Sequence, residues 1–163
     1  MLGAAIAGFL GSSAAMAARS PERPRLVHNM TSGVLVTPTE QPGTPADQVA
    51  RQLMAPELKK SSRSGETPLV LVASARLGAA RDGDVLFVQL QSERECGSAG
   101  CSTVSFRLTH GKWAKIMDTV GGPIRVTATL HHGMPDLIMQ RTSRLVWDGQ
   151  QYADLSTLRT QDE

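Results

Sequence analysis

One stretch of this 163-residue chain decides its fold: Asp84-Val-Leu-Phe-Val-Gln-Leu-Gln91, then Cys96-Gly-Ser-Ala-Gly-Cys101, then Thr103-Val-Ser-Phe-Arg-Leu-Thr109. The first run has apolar residues on both faces of a strand, because Val85 and Phe87 alternate with three aliphatic residues. The last run alternates apolar and polar residues, which predicts a strand with one face in water. The two strands are expected to be antiparallel neighbours, since a bond between the cysteines requires Cα atoms within about 7 Å.

The first 17 residues have the pattern of a secretory leader. They contain no charged side chain, and Ala15-Met16-Ala17 is a small-residue cleavage signal. Their apolar part is shorter than the roughly 20 residues that span a bilayer. We predict a signal peptide over 1–17 and a periplasmic protein.

The chain has two cysteines, five positions apart. In an exported protein such a pair is most simply a disulfide, because the oxidising compartment favours the bond. A redox-active pair is the alternative, but the spacing is Cys-x4-Cys rather than Cys-x-x-Cys. We predict a structural disulfide between Cys96 and Cys101 that closes the tip of the hairpin.

Composition excludes several classes of function. The formal net charge is +2, with 17 Lys and Arg scattered among 15 Asp and Glu, and there are only three Phe, two Trp and one Tyr. Nucleic-acid binding needs a basic stripe or a row of aromatic residues on which bases stack. We therefore expect no nucleic-acid partner, and we also expect no membrane span, no cofactor and a monomer.

Before the strands, the chain has a Pro-rich segment and a helix. We expect 18–43 to be a flexible arm, with one short strand at 33–37. Thr44 is the predicted N-cap of the helix, Pro45 occupies its first position and Asp47 is the acidic residue of a capping box. Pro56 is expected to end or kink this helix, and a basic loop is expected over 59–65.

From residue 68 onward, short apolar or alternating runs follow one another with turns between them. The predicted strands are 69–75, 84–91, 103–109, 112–117, 123–130, 136–140, 144–147 and 150–153. Strand 69–75 is expected to be buried on both faces, and Ile124, Val126, Ala128 and Leu130 to face inward. We predict a mainly β (α+β) fold over 44–163: an antiparallel meander of about seven short strands, as a curled sheet or barrel, with one N-terminal helix packed on it.

Two pairs of segments in this meander resemble each other. Gly83-Asp-Val-Leu86 is similar to Pro135-Asp-Leu-Ile138, and Phe106-Arg-Leu-Thr-His-Gly-Lys-Trp113 is similar to Leu145-Val-Trp-Asp-Gly-Gln-Gln-Tyr152. The pattern resembles FG-GAP-type β repeats. The chain from about residue 69 also resembles small exported bacterial proteins of unassigned role that carry a Cys-Gly-x-x-Gly-Cys hairpin.

The residues that could carry chemistry each have a simpler structural interpretation. His131 and His132 precede a turn, and adjacent strand residues point to opposite faces, so we expect a polar turn rather than a metal site. Ser98 lies between glycines inside the cysteine loop and lacks the elbow of a serine nucleophile. Trp113, Trp147 and Tyr152 are expected to be aromatic residues of the core or of hairpins, and the last two could also be contact residues.

Two functions remain open. The first is a non-enzymatic binding or inhibitory module for an envelope or secreted protein, acting through a sheet edge and the hairpin. Its predicted binding residues are Gly97, Ser98, Ala99, Gly100, Trp147 and Tyr152. The alternative is a small secreted hydrolase with residues brought together by the fold from the set His110, His131, His132, Asp84 and Asp136. A cleft with a histidine and a carboxylate at hydrogen-bonding distance would favour the enzyme.

Overall fold

The computed structural model describes residues 33–78, 83–139 and 143–155, so the predicted signal peptide 1–17 and the first part of the arm lie outside the described residues. The helices are α1 (Pro45–Leu53) and α2 (Ala55–Arg63). The strands are β1 (Val34–Val36), β2 (Thr39–Glu40), β3 (Leu69–Arg76), β4 (Asp84–Gln91), β5 (Cys96–Gly97), β6 (Gly100–Thr109), β7 (Lys112–Val120), β8 (Ile124–His131), β9 (Met134–Met139), β10 (Ser143–Trp147) and β11 (Tyr152–Asp154).

The strands form two antiparallel sheets. The first sheet has the order β2-β3-β4-β6-β7, and the two-residue β5 pairs with the start of β6. The second sheet has the order β1-β8-β9-β10-β11. The prediction of a mainly β, antiparallel fold is confirmed, and the strands are not closed into a barrel.

Two hydrophobic clusters hold three layers together. The inter-sheet core lies between the two sheets and includes Ala75, Val85, Phe87, Ile116 and Met117 of the first sheet with Val36, Ile124, Leu137, Met139, Leu145, Trp147 and Tyr152 of the second. The helix-facing core lies on the other face of the first sheet and contains Ala50, Met54, Val70, Val72, Leu86, Val88, Leu90, Val104 and Phe106. The layers are therefore, in order, the helices, the first sheet and the second sheet.

Strand β4 lies at the middle of this arrangement because both of its faces are apolar. Phe87 belongs to the inter-sheet core, whereas Leu86 and Val88 belong to the helix-facing core. This division is the one that the alternation of the sequence predicts. Strand β3 is less completely covered than expected, since Leu69 at its start is 50% exposed.

The prediction that one face of β6 is exposed to solvent is wrong. Strand β6 pairs with β4 as expected, with Val104 opposite Val88. However, Thr103 and Ser105 have no exposed area, because this face of the first sheet is covered by the second sheet. Small hydroxyl residues here occupy an interior position, and alternation alone cannot distinguish that position from a solvated one.

The helical part is longer than predicted. Thr44 caps α1 by accepting a hydrogen bond from the Asp47 backbone N–H at 3.2 Å, as the sequence predicts. As predicted, the helix that begins at Thr44 ends shortly before Pro56, with α1 stopping at Leu53, but a second helix follows at once. Pro56 lies in the first turn of α2, where its missing N–H costs no hydrogen bond. The predicted basic loop 59–65 is therefore wrong over most of its length, because α2 continues to Arg63.

Residues 33–43, expected to be part of a loose arm, connect the two sheets. Strand β1 pairs with β8 in the second sheet, and β2 pairs with β3 in the first. The β7–β8 connection crosses between the sheets at the same end through Gly121, Gly122 and Pro123.

Only the first part of β8 faces inward. Ile124 is buried, but Ala128 is exposed and Leu130 is 60% exposed, which corrects the expectation that all four alternating residues point inward. The reason is a register shift between Val126 and Leu130 in the pairing with β9, which breaks the regular alternation.

Candidate functional site

The hairpin tip has the predicted disulfide. Cys96 and Cys101 are bonded and are paired in register, with Cα atoms 3.9 Å apart, and Gly97 pairs with Gly100. Ser98 and Ala99 form the exposed turn between them. Of the six predicted binding residues, these four glycine, serine and alanine residues are at the surface or half-buried.

The base of the hairpin is held against the helical layer. The Ser92 hydroxyl donates to Glu66 Oε2 at 2.7 Å, and the Ser61 hydroxyl donates to Glu95 Oε1 at 3.4 Å. The hairpin is thus fixed both by its disulfide and by contacts with residues at the end of α2. A loop fixed in this way loses little conformational entropy when it binds a partner.

A groove of about 410 Å³ runs beside the disulfide, at the end of the molecule where the two sheets are connected. It is lined by Thr37, Pro38, Leu71, Gln89, Gln91, Gly100, Cys101, Gly121, Gly122 and Pro123. None of these lining residues is charged. The volume lies within the range of ligand-binding clefts, about 300–1,000 Å³.

Two glutamine side chains in the lining belong to a hydrogen-bond network. Gln91 Nε2 donates to Gln89 Oε1 at 2.9 Å, and Gln89 Nε2 donates to Thr103 Oγ1 at 3.0 Å and to the Gly121 carbonyl at 3.1 Å. The Thr103 hydroxyl donates to the same carbonyl at 2.6 Å. This network fixes the orientation of the Gln89 amide.

Gly122 makes this close packing possible. Its φ is +155°, and a Cβ atom there would lie 2.9 Å from Gln89 Nε2. Any larger residue would push the amide out of the network. The sequence shows Gly121-Gly122-Pro123 only as a break between strands, so its part in the groove could not be inferred from composition.

The other two predicted binding residues are in the interior. Trp147 and Tyr152 are 4% and 7% exposed, and their rings meet edge to face with centroids 5.3 Å apart. The Tyr152 hydroxyl donates to the Pro135 carbonyl at 2.7 Å, and burial raises the pKa of Tyr152 well above its ordinary value. A partner at the surface would not reach these rings, so we correct their predicted binding role to a structural one in the inter-sheet core.

A different set of side chains meets on the outer face of the second sheet. Asp136 has no exposed area, and its Oδ1 lies 2.6 Å from His131 Nδ1. Its Oδ2 accepts hydrogen bonds from Arg144 Nε at 2.8 Å and from Nη2 at 2.5 Å. Both oxygens of a buried carboxylate are thus paired, which is the condition under which burying such a charge is tolerated.

The remaining histidines and carboxylates of the predicted hydrolase set are not part of this contact. Asp84 pairs with Arg76 at 3.0 Å on the first sheet. His110 and His132 have positive φ values of 50° and 48° and lie in the turns before Gly111 and Gly133. The groove beside the disulfide is lined by none of these residues.

The described residues contain no group of three or more His, Cys, Asp or Glu that could hold a metal ion. Nor does the part of the chain that the structure describes contain a helix long and apolar enough to cross a membrane.

Sequence reasoning missed Arg144, Gln89 and Gln91. Arg144 reads as a polar residue of an alternating strand, and the two glutamines read as the end of β4. The His131–Asp136 contact did have a signal: a two-residue turn at 132–133 places His131 opposite Met134 and therefore diagonal to Asp136 on the same face.

Comparison of the chain with family models, with curated proteins and with solved structures gives no match. The resemblance to exported proteins with a cysteine-closed hairpin thus rests on the residues quoted for it above.

Proposed function

We propose that this protein is an exported binding module whose groove acts non-enzymatically, by binding an extended, uncharged segment of an envelope or secreted protein. The observation that carries the proposal is that Gly100 and Cys101 of the disulfide-closed hairpin form part of the groove lining, together with Leu71 and Gln91. The rigid hairpin and the edge of the first sheet thus contribute to one binding surface.

The chemistry of the lining favours this class of partner. Leu71, two prolines and the disulfide offer apolar contact, and the glutamine amides offer hydrogen-bond donors and acceptors for a peptide backbone. A charged side chain of the ligand would lose its hydration without gaining an opposite charge. An uncharged peptide is therefore the best fit.

The edge of the first sheet supports binding in an extended conformation. Strand β2 covers only two residues of β3, Leu71 and Val72. On the side of β3 away from β4, no described strand pairs with Leu69. The Leu69 residue is also 50% exposed. Peptides commonly bind by adding a strand to such an edge.

The oxidised hairpin fits an exported protein, because disulfides persist in oxidising compartments. The predicted signal peptide and the periplasmic location are parts of this proposal.

The experiment is selection of ten-residue peptides from a random library on the purified protein, followed by measurement of their affinities by titration calorimetry. We expect the selected peptides to be uncharged at their centres. The variant Leu71→Glu, which places a carboxylate in the groove, should weaken their binding at least tenfold. The matched control is Leu130→Glu, an exposed leucine on the second sheet, which should leave the affinity unchanged.

The double variant with both cysteines replaced by serine should still fold, with a loss of about 2 kcal/mol or less. It should lose more in peptide affinity than in stability, because binding would then have to order a freed loop. Equal peptide affinity for wild type and Leu71→Glu, or a library that yields no binder sensitive to this substitution, would contradict the proposal.

A further inference from the structure

The outer face of the second sheet carries a histidine held in one orientation by a buried carboxylate. An ionised carboxylate only accepts hydrogen bonds, so the 2.6 Å contact with Asp136 requires that His131 Nδ1 carry the hydrogen. In the neutral ring, Nε2 then has the free electron pair. The His131 side chain is 42% exposed, so the ring is open to solvent while its partner is entirely buried.

The backbone is shaped to bring these two residues together. Leu130 pairs with Pro135 and His131 pairs with Met134, so the end of β8 and the start of β9 form a regular hairpin in which His131 lies diagonal to Asp136 on the same face. The turn between the two strands uses positive φ at His132 and Gly133, which is the geometry of a tight hairpin.

Charge on this face favours an anionic ligand. Arg125, Ile138 and Arg144 are cross-strand neighbours in register and therefore share one face of the sheet. Asp136 lies two residues before Ile138 on the same strand and therefore also faces this side. Its negative charge pairs with Arg144, so the positive charge of Arg125 is not offset by it. The Arg144 side chain is 41% exposed, so its guanidinium is open to the negative charge of an ester bound beside His131.

We propose that His131 is the general base of a second site, which hydrolyses small anionic carboxylic esters. Nε2 takes a proton from a water molecule while the water oxygen forms a bond to the ester carbonyl carbon. The bond from this carbon to the alcohol oxygen then breaks, and the alcohol leaves with the proton returned by Nε2. The Nδ1 hydrogen stays on the ring, bonded to Asp136, throughout.

Asp136 and Arg144 are positioning residues. Asp136 fixes the tautomer and stabilises the imidazolium that forms when Nε2 takes the proton. Arg144 holds the second carboxylate oxygen through Nε and Nη2, so the carboxylate cannot rotate away from the histidine. This activity is the enzymatic alternative left open by the sequence, and it is independent of the groove at the other site.

The test uses two aryl acetates of the same shape, 4-acetoxybenzoate, which is anionic, and 4-acetoxybenzamide, which is neutral. We expect the wild-type protein to release the phenol from the anionic ester several times faster than from the neutral one. His131→Gln, which retains a donor for Asp136, should lower kcat/KM about a hundredfold or more.

His110→Asn and His132→Asn are the controls, because asparagine tolerates positive φ and neither histidine contacts Asp136. Both should keep the wild-type rate. Arg144→Lys keeps the charge but loses the planar fork, so it should lower kcat and leave KM for the anionic ester nearly unchanged.

Each protein's thermal midpoint would be measured beside its rate, so that unfolding is recognised. A wild-type rate no higher than that of an equal concentration of free imidazole would overturn the proposal. A folded His131→Gln variant with the wild-type rate would overturn it as well.

Discussion

The two faces of the first sheet are built from different kinds of residue. The face toward the helices is lined by aliphatic residues of β3 and β4 together with Phe106, and the helices contribute Ala50 and Met54. The face toward the second sheet also carries Thr103 and Ser105, both without exposed area. One face is an apolar contact, and the other combines apolar packing with hydroxyl groups that need partners. The contribution to stability of the face toward the second sheet therefore depends on hydrogen bonds as well as on how well the side chains fill the interior.

The largest effect is expected from Phe87→Ala, which removes the biggest fully buried side chain of the inter-sheet core. Large-to-small changes of this type cost about 3–5 kcal/mol because they lose transfer energy and leave a cavity. The matched variant on the other face is Leu90→Ala. We expect it to cost less, since a leucine leaves a smaller cavity. Chemical denaturation measures both, and a larger loss for Leu90→Ala would reverse the ranking of the two faces.

A smaller effect, which separates the two hydroxyl residues, is expected from Thr103→Val. This change keeps the shape but removes the hydroxyl that accepts from the Gln89 amide nitrogen and donates to the Gly121 carbonyl. These two groups keep only the hydrogen bond between them, so the free energy of unfolding should fall by about 1–3 kcal/mol. The control is Ser105→Ala. The Ser105 hydroxyl is buried with no hydrogen-bond partner among the described residues, so its removal should cost nothing or stabilise the fold. Equal losses in the two variants would refute this distinction.

The smallest effect is expected at the edge of the helical layer, with Asp47→Asn. Hydrogen bonds from Arg51 and from the Gly43 backbone N–H hold the pKa of Asp47 below its ordinary value near 3.8. A lowered pKa in the folded state contributes stability above the unfolded-state pKa and loses it as the pH falls.

The wild type should therefore be more stable than Asp47→Asn at pH 7, and the difference should shrink as the pH falls below about 4 and the carboxylate takes up a proton. Thermal unfolding across this range measures the difference. A constant difference at all pH values would show that the carboxylate charge has no part in it.

Much of the fold could be predicted because the alternation of apolar residues along the sequence matches the burial of the strands. The aliphatic residues of β4 alternate between two buried faces, and the Thr44-Pro45 start of α1 is fixed by local hydrogen bonding. The errors occur where distant parts of the chain decide burial. Thr103 is interior only because the second sheet covers it, and α2, where the sequence predicts a basic loop, begins with Pro56 in its first turn.

The candidate sites were predictable to a smaller extent. The disulfide followed from cysteine spacing, and His131 and Asp136 were both named as members of one set. Their contact depends on the turn that pairs His131 with Met134, and the third member, Arg144, comes from the next hairpin. The groove depends on crossovers between sheets, so no local pattern could have shown that Pro38 and Pro123 meet beside the disulfide.

The pairing of β1 with β8 has a consequence for the order in which the two sheets can close. All strands of the first sheet and both described helices lie between residues 39 and 120, so the contacts of that layer join segments close in sequence. Val34 pairs with Val126, so the second sheet closes only when distant segments of the chain meet. A chain in which β1 and β8 are still apart has an incomplete second sheet over Phe87 and its neighbours. Its apolar surface is then open to other chains.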